Sequence, residues 1–328
     1  MEATATQGNP AVLAGQASGP LIIARQLTKQ FGTFTAVDAI DFEVERGEAF
    51  GFLGPNGAGK SSTMRMIGCV APITSGTLRI LGMDPATDGP RIRARLGVVP
   101  QQDTLDLEMT VRENLYIYGR YFGMPRPVLG QKVDALLEFA QLADRAKSRV
   151  EPLSGGMKRR LTIARSLIND PEILLLDEPT TGLDPQARHI LWDRLYRLKQ
   201  DGVTLVLTTH YMDEAEQLCD RLVVMDNGRI VAQGSPASLI AEYSTREVAE
   251  LRFPPGQNGE AAAVLQQAIP GERERVEALP DRVLLYVWDG EAALARAHEL
   301  GLQPVSSLVR RSTLEDVFLR LTGRSLVD

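Results

Sequence analysis

Residues 54–61 read GPNGAGKS, a glycine-rich run that closes on a lysine and a serine and fits the pattern G-x-x-x-x-G-K-[ST]. Over Gly54, Pro55, Asn56, Gly57, Ala58 and Gly59 the backbone can curl so that successive N–H groups point at phosphate oxygens. A helix starting behind the loop adds the positive end of its dipole. Lys60 has the reach to touch β- and γ-phosphates, and the Ser61 hydroxyl, with Ser62 behind it, suits a Mg²⁺ ion. The plain alternative is a tight turn with a solvated lysine. Context argues against it, because the apolar EAFGFL precedes the loop and the helix-like STMRMIGCV follows.

A second constellation lies far downstream. Residues 173–178, ILLLDE, are a short apolar run closed by two adjacent carboxylates. Successive strand side chains point to opposite faces, so Asp177 and Glu178 should separate at the strand end. Asp177 could then complete a Mg²⁺ shell while Glu178 polarises an attacking water as general base. His210 closes another apolar run, VTLVLTTH, where it could donate to a terminal phosphate and sense its loss. Gln101, in GVVPQQ, is a neutral side chain able to meet Mg²⁺ or water. Gln102 sits beside it, and chemistry alone does not choose between the two. Asp88, Asp103 and Asp106 read as loop or surface acids.

These residues need elements to carry them. Strand-like runs LIIARQL, IDFEVE and EAFGFLG occupy 21–53, and strand and helix patterns then alternate to about residue 243, which predicts an α/β core with a parallel sheet. EILLLDE and VTLVLTT hold short apolar runs of the kind expected in strands buried on both faces. Residues 104–160 read as a helical insertion into that core. After about 244 the pattern becomes strand, helix, strand, strand, helix, strand (EVAELRF, GEAAAVLQQAI, RERVEAL, RVLLYVWD, EAALARAHEL, PVSSLVRR). That order is the split, ferredoxin-like arrangement. A final helix near STLEDVFLRLTG would pack a stripe of Leu314, Val317, Phe318 and Leu321. The expected division is a disordered tail over 1–20, a first domain over 21–243 and an accessory domain over 244–328.

Composition narrows the function classes. With 328 residues and 44% apolar content the chain can bury a sizeable core. A net charge of −6 and a pI near 5.3 argue against a nucleic-acid binder, which usually carries a basic domain. Cys69 and Cys219 stand far apart and read as two reduced, buried thiols rather than a disulfide. The first twenty residues lack the basic start and apolar core of a signal peptide. No apolar run is long enough to cross a bilayer, so any membrane function would need another chain to span it.

Residues 153–167, LSGGMKRRLTIARSL, place a serine and two glycines at a basic helix start. Ser154, Gly155 and Gly156 form an anion-binding helix terminus. Met157 shares a helical stripe with Leu161, Ala164 and Ile168. Lys158, Arg159 and Arg165 fall off that stripe and are expected to be solvated or interface charges.

GPNGAGKSS, Gln101, LSGGM, ILLLDE, GLDP and TTH follow the order and approximate spacing of the motifs of ATP-binding cassette (ABC) ATPases, and residues 21–243 resemble that family. The resemblance implies a P-loop nucleotide-binding domain with a helical subdomain, using ATP and Mg²⁺. It implies a head-to-tail dimer of two copies that sandwiches two ATPs. Lys60, Ser61, Gln101, Asp177, Glu178 and His210 would act on the chain's own nucleotide. Ser154–Gly156 would cap the γ-phosphate held by the partner. Asp184 of GLDP matches a loop lining the dimer interface, and Phe31 of KQFG matches the aromatic that stacks on adenine, with a core phenylalanine as its alternative. Met157 stands where the family usually has glutamine.

The stretches 100–124 and 153–185 and the tail STLEDVFLRLTGR are further similar to ATPases of nodulation-type lipo-oligosaccharide exporters and anthracycline-resistance drug exporters. This implies export through a separate six-helix permease from the cytoplasmic face, with Arg112, Glu113 and Tyr116 near its docking place. An importer ATPase is the alternative. A soluble, non-transport ABC ATPase is a weaker one, since there is a single phosphate loop and no sustained heptad pattern.

Overall fold

The computed structural model describes residues 19–269, 271 and 274–322; the expected tail lies almost wholly outside them. The chain begins with a long hairpin of β1 (Ile22–Phe31) and β2 (Phe34–Val44). β3 (Ala49–Leu53) then enters the main sheet, α1 (Lys60–Ile67) follows, and β4 (Ser75–Ile80) returns to pair with β1. β2, β1 and β4 form an antiparallel sheet of their own. The sequence predicted β1 and β2 but neither β4 nor the separation of these strands from the parallel core. Their half-exposed, alternating burial is what an antiparallel sheet with one open face allows.

After α2 (Pro85–Arg93) and β5 (Leu96–Val99) comes the helical insertion: α3 (Val111–Tyr121), α4 (Arg126–Ala140) and α5 (Gly155–Ser166). A reciprocal cap starts α3, with Thr110 accepting from the Glu113 N–H while Glu113 accepts from the Thr110 N–H. The chain then runs through β6 (Ile173–Asp177), α6 (Pro185–Gln200), β7 (Thr204–Thr209), α7 (Met212–Leu218), β8 (Arg221–Asp226), β9 (Arg229–Gly234) and α8 (Pro236–Tyr243).

The main sheet has the order β5-β6-β7-β3-β8-β9, parallel except for β9. Alternate residues of one strand feed its two faces. Leu174 and Leu176 join the core shared with the helical insertion, while Ile173 and Leu175 join the core under the antiparallel sheet. Burial on both sides explains why the run is apolar throughout.

The C-terminal part is built from β10 (Glu247–Arg252), α9 (Asn258–Ala268), β11 (Arg275–Ala278), β12 (Val283–Val287), α10 (Gly290–Glu299) and β13 (Ser306–Arg311). Their antiparallel order β11-β12-β10-β13 is the predicted split arrangement. The turn-rich FPPGQNGE lies inside this unit, joining β10 to α9, rather than at its border. α11 (Leu314–Thr322) leaves the sheet and packs on α7 and α8. Leu314, Val317 and Phe318 are fully buried there and Leu321 partly so, and the Leu314 N–H donates to Glu216 Oε1 at 2.6 Å.

Candidate nucleotide site

Parallel strands bring their C-terminal ends to one edge of the sheet, where loops converge. Leu53 of β3 is level with Thr209 of β7, Thr208 with Asp177 of β6, and Leu176 with Val99 of β5. Residues dispersed over 160 positions of sequence thus meet at one edge.

The loop after β3 takes its shape from two glycines. Gly59 adopts φ +100°, and a Cβ there would stand 2.4 Å from the Ala36 carbonyl oxygen. At Gly54 a Cβ would meet the Met225 carbonyl oxygen at 2.3 Å. Lys60 opens α1 and is 4% exposed. Its ammonium donates to the carbonyls of Gly54 (2.6 Å) and Pro55 (3.0 Å). Burial lowers its pKa, opposed by the charges of Glu178 and Asp177.

Ser61 Oγ donates to Asp177 Oδ1 at 3.3 Å, and Thr208 Oγ1 donates to the same oxygen at 2.5 Å. Glu178 has left the strand with φ +45°, a conformation that costs a non-glycine residue about 1–3 kcal/mol and collects at functional sites. The strand alternation expected for the two acids therefore ends at Asp177. They still face different partners, through the backbone turn at Glu178. The Glu178 carboxylate, 7% exposed, accepts from Gln101 Nε2 at 2.9 Å and Thr181 Oγ1 at 3.1 Å. His210 Nδ1 lies 3.4 Å from its other oxygen. The His210 imidazole, against the opposing effect of burial and with help from Lys60 and Thr181, holds this carboxyl below the usual carboxylate range. It is a base poised in its ionised form. Gln101, not Gln102, reaches the pair.

A cleft of about 230 Å³ lies over the loop, lined by Asn56–Ser62, Gln101, Glu178, Ala36 and Phe34. Phe31 is 52% exposed at the end of β1, so it is no core residue, and Lys29 Nζ sits 4.9 Å from its ring centroid. Phe34, across the hairpin and 64% exposed, is the aromatic lining the cleft; sequence reasoning missed it. Ser154, Gly155 and Gly156 do not line this cleft. Ser154 caps α5, accepting from the Met157 N–H at 3.3 Å, and Ser154 and Gly155 stand exposed. Asp184 is the N-cap of α6 and accepts from the Ala187 N–H at 2.9 Å.

Residues 37–181 match the family described as "ABC transporter", a span that holds the loop, Gln101, the Ser154–Gly156 segment and both acids. "Nod factor export ATP-binding protein I" of Ralstonia nicotianae is 47% identical over 96% of this chain and 97% of its own length. The chain belongs to the ATP-binding proteins of ABC transporters. Residues 262–323 match "Nodulation factor export protein NodI, C-terminal domain". The protein of the same name from Mesorhizobium japonicum is 46% identical over 92% of this chain and 86% of its own. Among solved structures, an ATP-binding subunit of an ABC transporter superposes with TM-score 0.62 at 29% identity, covering 68% of this chain and 93% of that one. A dimeric ATP-binding cassette in a post-hydrolysis state, bound to ADP and Pi, does so with TM-score 0.60 at 27% identity, covering 65% and 98%.

The expectation of solvated charges on α5 is overturned at two positions. Arg159 and Arg165 are not solvated. Both are buried, Arg159 against five backbone carbonyls and Arg165 against Thr104 and the Tyr118 ring. The face of α5 opposite the Met157 stripe is occupied too. Sequence reasoning also missed Thr208, whose hydroxyl donates to Asp177 and accepts from the Glu178 N–H at 3.0 Å. Its signal was a threonine pair, Thr208 and Thr209, closing the C-terminal end of β7. Arg112 and Glu113 have partners within the chain, Asp134 and the α3 cap. Tyr116 is half-buried against the core.

Proposed function

We propose that this chain hydrolyses Mg²⁺-ATP to power efflux of an amphiphilic, lipo-oligosaccharide-like substrate through a separate six-helix permease, at the cytoplasmic face of the membrane. The reading is carried by the convergence of Lys60, Ser61, Gln101 and Glu178 on one cleft, with Asp177 bonded to Ser61 and His210 beside Glu178, in a chain similar over nearly its whole length to export ATP-binding proteins. No helix among the described residues is long and apolar enough to cross a membrane, in keeping with a separate permease.

Lys60 would turn from the Gly54 and Pro55 carbonyls to the β- and γ-phosphates. Ser61 Oγ, Asp177 and the Gln101 side-chain amide oxygen are hard oxygen donors that fit Mg²⁺, a cation commonly held by one or two carboxylates plus substrate phosphates. Bound there, it would neutralise charge on the transferred phosphoryl group. Glu178 would take the proton of the attacking water, and His210 would meet the γ-phosphate. Phe31 would stack on adenine, with Phe34 beside it. Ser154, Gly155 and Gly156, at a helix start where the first two stand exposed, would cap the γ-phosphate of a second copy in a head-to-tail dimer, with Asp184 at the shared interface. The division at residue 244 would set an accessory unit beside this ATPase body.

The permease would dock on the helical insertion near Arg112, Glu113 and Tyr116 and beside a second cleft of about 480 Å³, whose outer lining includes Val70, Val98, Gln102 and Thr104 and whose inner end reaches Ser61 and Asp177. Gln101 borders both clefts, which gives the docked helix a route to the catalytic pair.

Lys60→Met should weaken ATP binding by about tenfold to a hundredfold, the value of one or two charge-assisted hydrogen bonds, as read by fluorescent-nucleotide titration. For the export reading, the chain would be co-expressed and purified with a candidate six-helix permease and placed in vesicles. A lipo-oligosaccharide should stimulate ATP hydrolysis and accumulate in inverted vesicles. Hydrolysis insensitive to any amphiphile, with uptake of a polar solute instead, would favour an importer.

A further inference from the structure

We infer that Arg159 is a positioning residue that fixes the Gln101 loop and the Glu178 strand end against the helix that begins at Ser154. The inference rests on the reading of Glu178 and Gln101 as the groups that handle the attacking water. Arg159 is 4% exposed. Its Nε donates to the Pro179 carbonyl at 2.7 Å. Nη1 donates to Pro100 O at 2.5 Å and Gln101 O at 3.4 Å. Nη2 donates to Asp177 O at 3.1 Å and Glu178 O at 3.2 Å. A guanidinium has five N–H donors in one plane, and here five carbonyls meet them.

Those carbonyls belong to segments 100–101 and 177–179, which continue β5 and β6 past their last paired residues, Val99 and Leu176, where the strand ladder no longer ties them. One rigid fork thereby sets the distance between the Gln101 and Glu178 backbones. No carboxylate dominates its surroundings; Asp103 is 3.7 Å from Nη1. An arginine bound to main-chain oxygens fixes position more than it neutralises charge.

The same face of α5 adds two further ties to this loop. Thr162 Oγ1 donates to Asp103 Oδ1 at 3.0 Å, and Arg165 donates to Thr104 O at 2.7 Å. Arg159 sits one turn and a half beyond Ser154 on the same helix. When Ser154–Gly156 engages the partner's γ-phosphate, any tilt of α5 is passed by Arg159 to the chain's own Gln101 and Glu178. Each nucleotide site would in this way be informed of the other.

Lysine keeps the charge at this position but has three donors on a point-like head and cannot bridge both segments. In Arg159→Lys full-length protein, kcat for Mg²⁺-ATP should fall by about tenfold to a hundredfold, the usual effect of misplacing a catalytic group by about 1 Å. The KM for ATP should stay within about twofold, and ATP-dependent dimerisation of Arg159→Lys/Glu178→Gln should match that of Glu178→Gln alone. Thr162→Val, which removes the hydroxyl that meets Asp103 and the Lys158 carbonyl within α5 and leaves Arg159 in place, should lower kcat in the same sense by a smaller factor. Wild-type kcat in whichever of these variants folds would overturn the inference. So would a raised KM with unchanged kcat, or loss of the dimer, since either would make Arg159 a binding or folding residue. If the unaltered chain and Glu178→Gln turn over alike, the Glu178 reading itself has failed. If only Glu178→Gln is dead and the Arg159 variant is normal, this inference alone has failed.

Discussion

Glu178→Gln should lower ATP turnover by about a hundredfold to ten-thousandfold, the range of general-base catalysis, while leaving ATP affinity near that of the wild type. The amide is close to the carboxylate in shape. It can still accept from Gln101 and Thr181, which hold the carboxylate at 2.9 and 3.1 Å. It cannot take a proton from water. A variant that binds ATP without spending it should stay in the closed dimer, because the γ-phosphate contacts of both chains persist. The readouts are single-turnover hydrolysis and size-exclusion chromatography with Mg²⁺-ATP. Turnover within about threefold of the wild type would remove Glu178 from the role of base, since that is far below what a lost general base costs.

The same carboxylate makes a pH prediction whose sign follows from its surroundings. His210, Lys60 and Thr181 favour the charged form more than burial disfavours it, so the pKa lies below 4.5. A base with a lowered pKa stays ionised to lower pH. The acid limb of kcat should therefore fall below the ordinary glutamate range, provided the fold survives there. Replacing His210 with glutamine removes the first-named of these influences and should move that limb upward.

The grouping of the candidate site residues was legible in the sequence because they sit at fixed places on regular elements. A parallel sheet collects strand ends, so an apolar run closing on Asp177 and another closing on His210 had to converge once both ran in the same direction. Less legible were groups whose partners are main chain. Arg159 looked like a surface charge because helical periodicity marks only the apolar stripe of Met157, Leu161, Ala164 and Ile168. That period says nothing about the opposite face, which the 100–104 loop covers with carbonyl oxygens. Phe34 escaped notice for a related reason, since its place at the cleft depends on the turn joining β1 to β2 and not on any spacing to the phosphate loop. The left-handed backbone at Glu178 was likewise hidden, because side-chain type gives no hint of a strained φ away from glycine.

The stripe on α11 was readable too, but not what it would cover, and this supports a large effect on stability. Phe318→Ala should cost about 3–5 kcal/mol, as large-to-small changes at fully buried aromatics do. Phe318 is 0% exposed and shares the core of the ATPase body with Leu239 of α8 and Ala215 of α7, although it follows the accessory sheet in sequence. The other side of α11 is anchored to that sheet, with Arg310 donating to both oxygens of Asp316 at 2.7 and 2.9 Å and to Glu250 at 2.7 Å. α11 therefore joins the two parts, apolar toward one and ionic toward the other. A cavity at Phe318 should loosen α11 from α7 and α8 while leaving Arg310–Asp316 in place. Thermal unfolding should then shift downward, and limited proteolysis should cut near residue 312 at lower protease concentrations. Affinity for ATP should change little, because the phosphate loop lies under the other core, with Met64 and Ala58. A loss below about 1.5 kcal/mol would mean that the site collapses around the smaller side chain, and α11 would then be a loose flap rather than the joint between the two units.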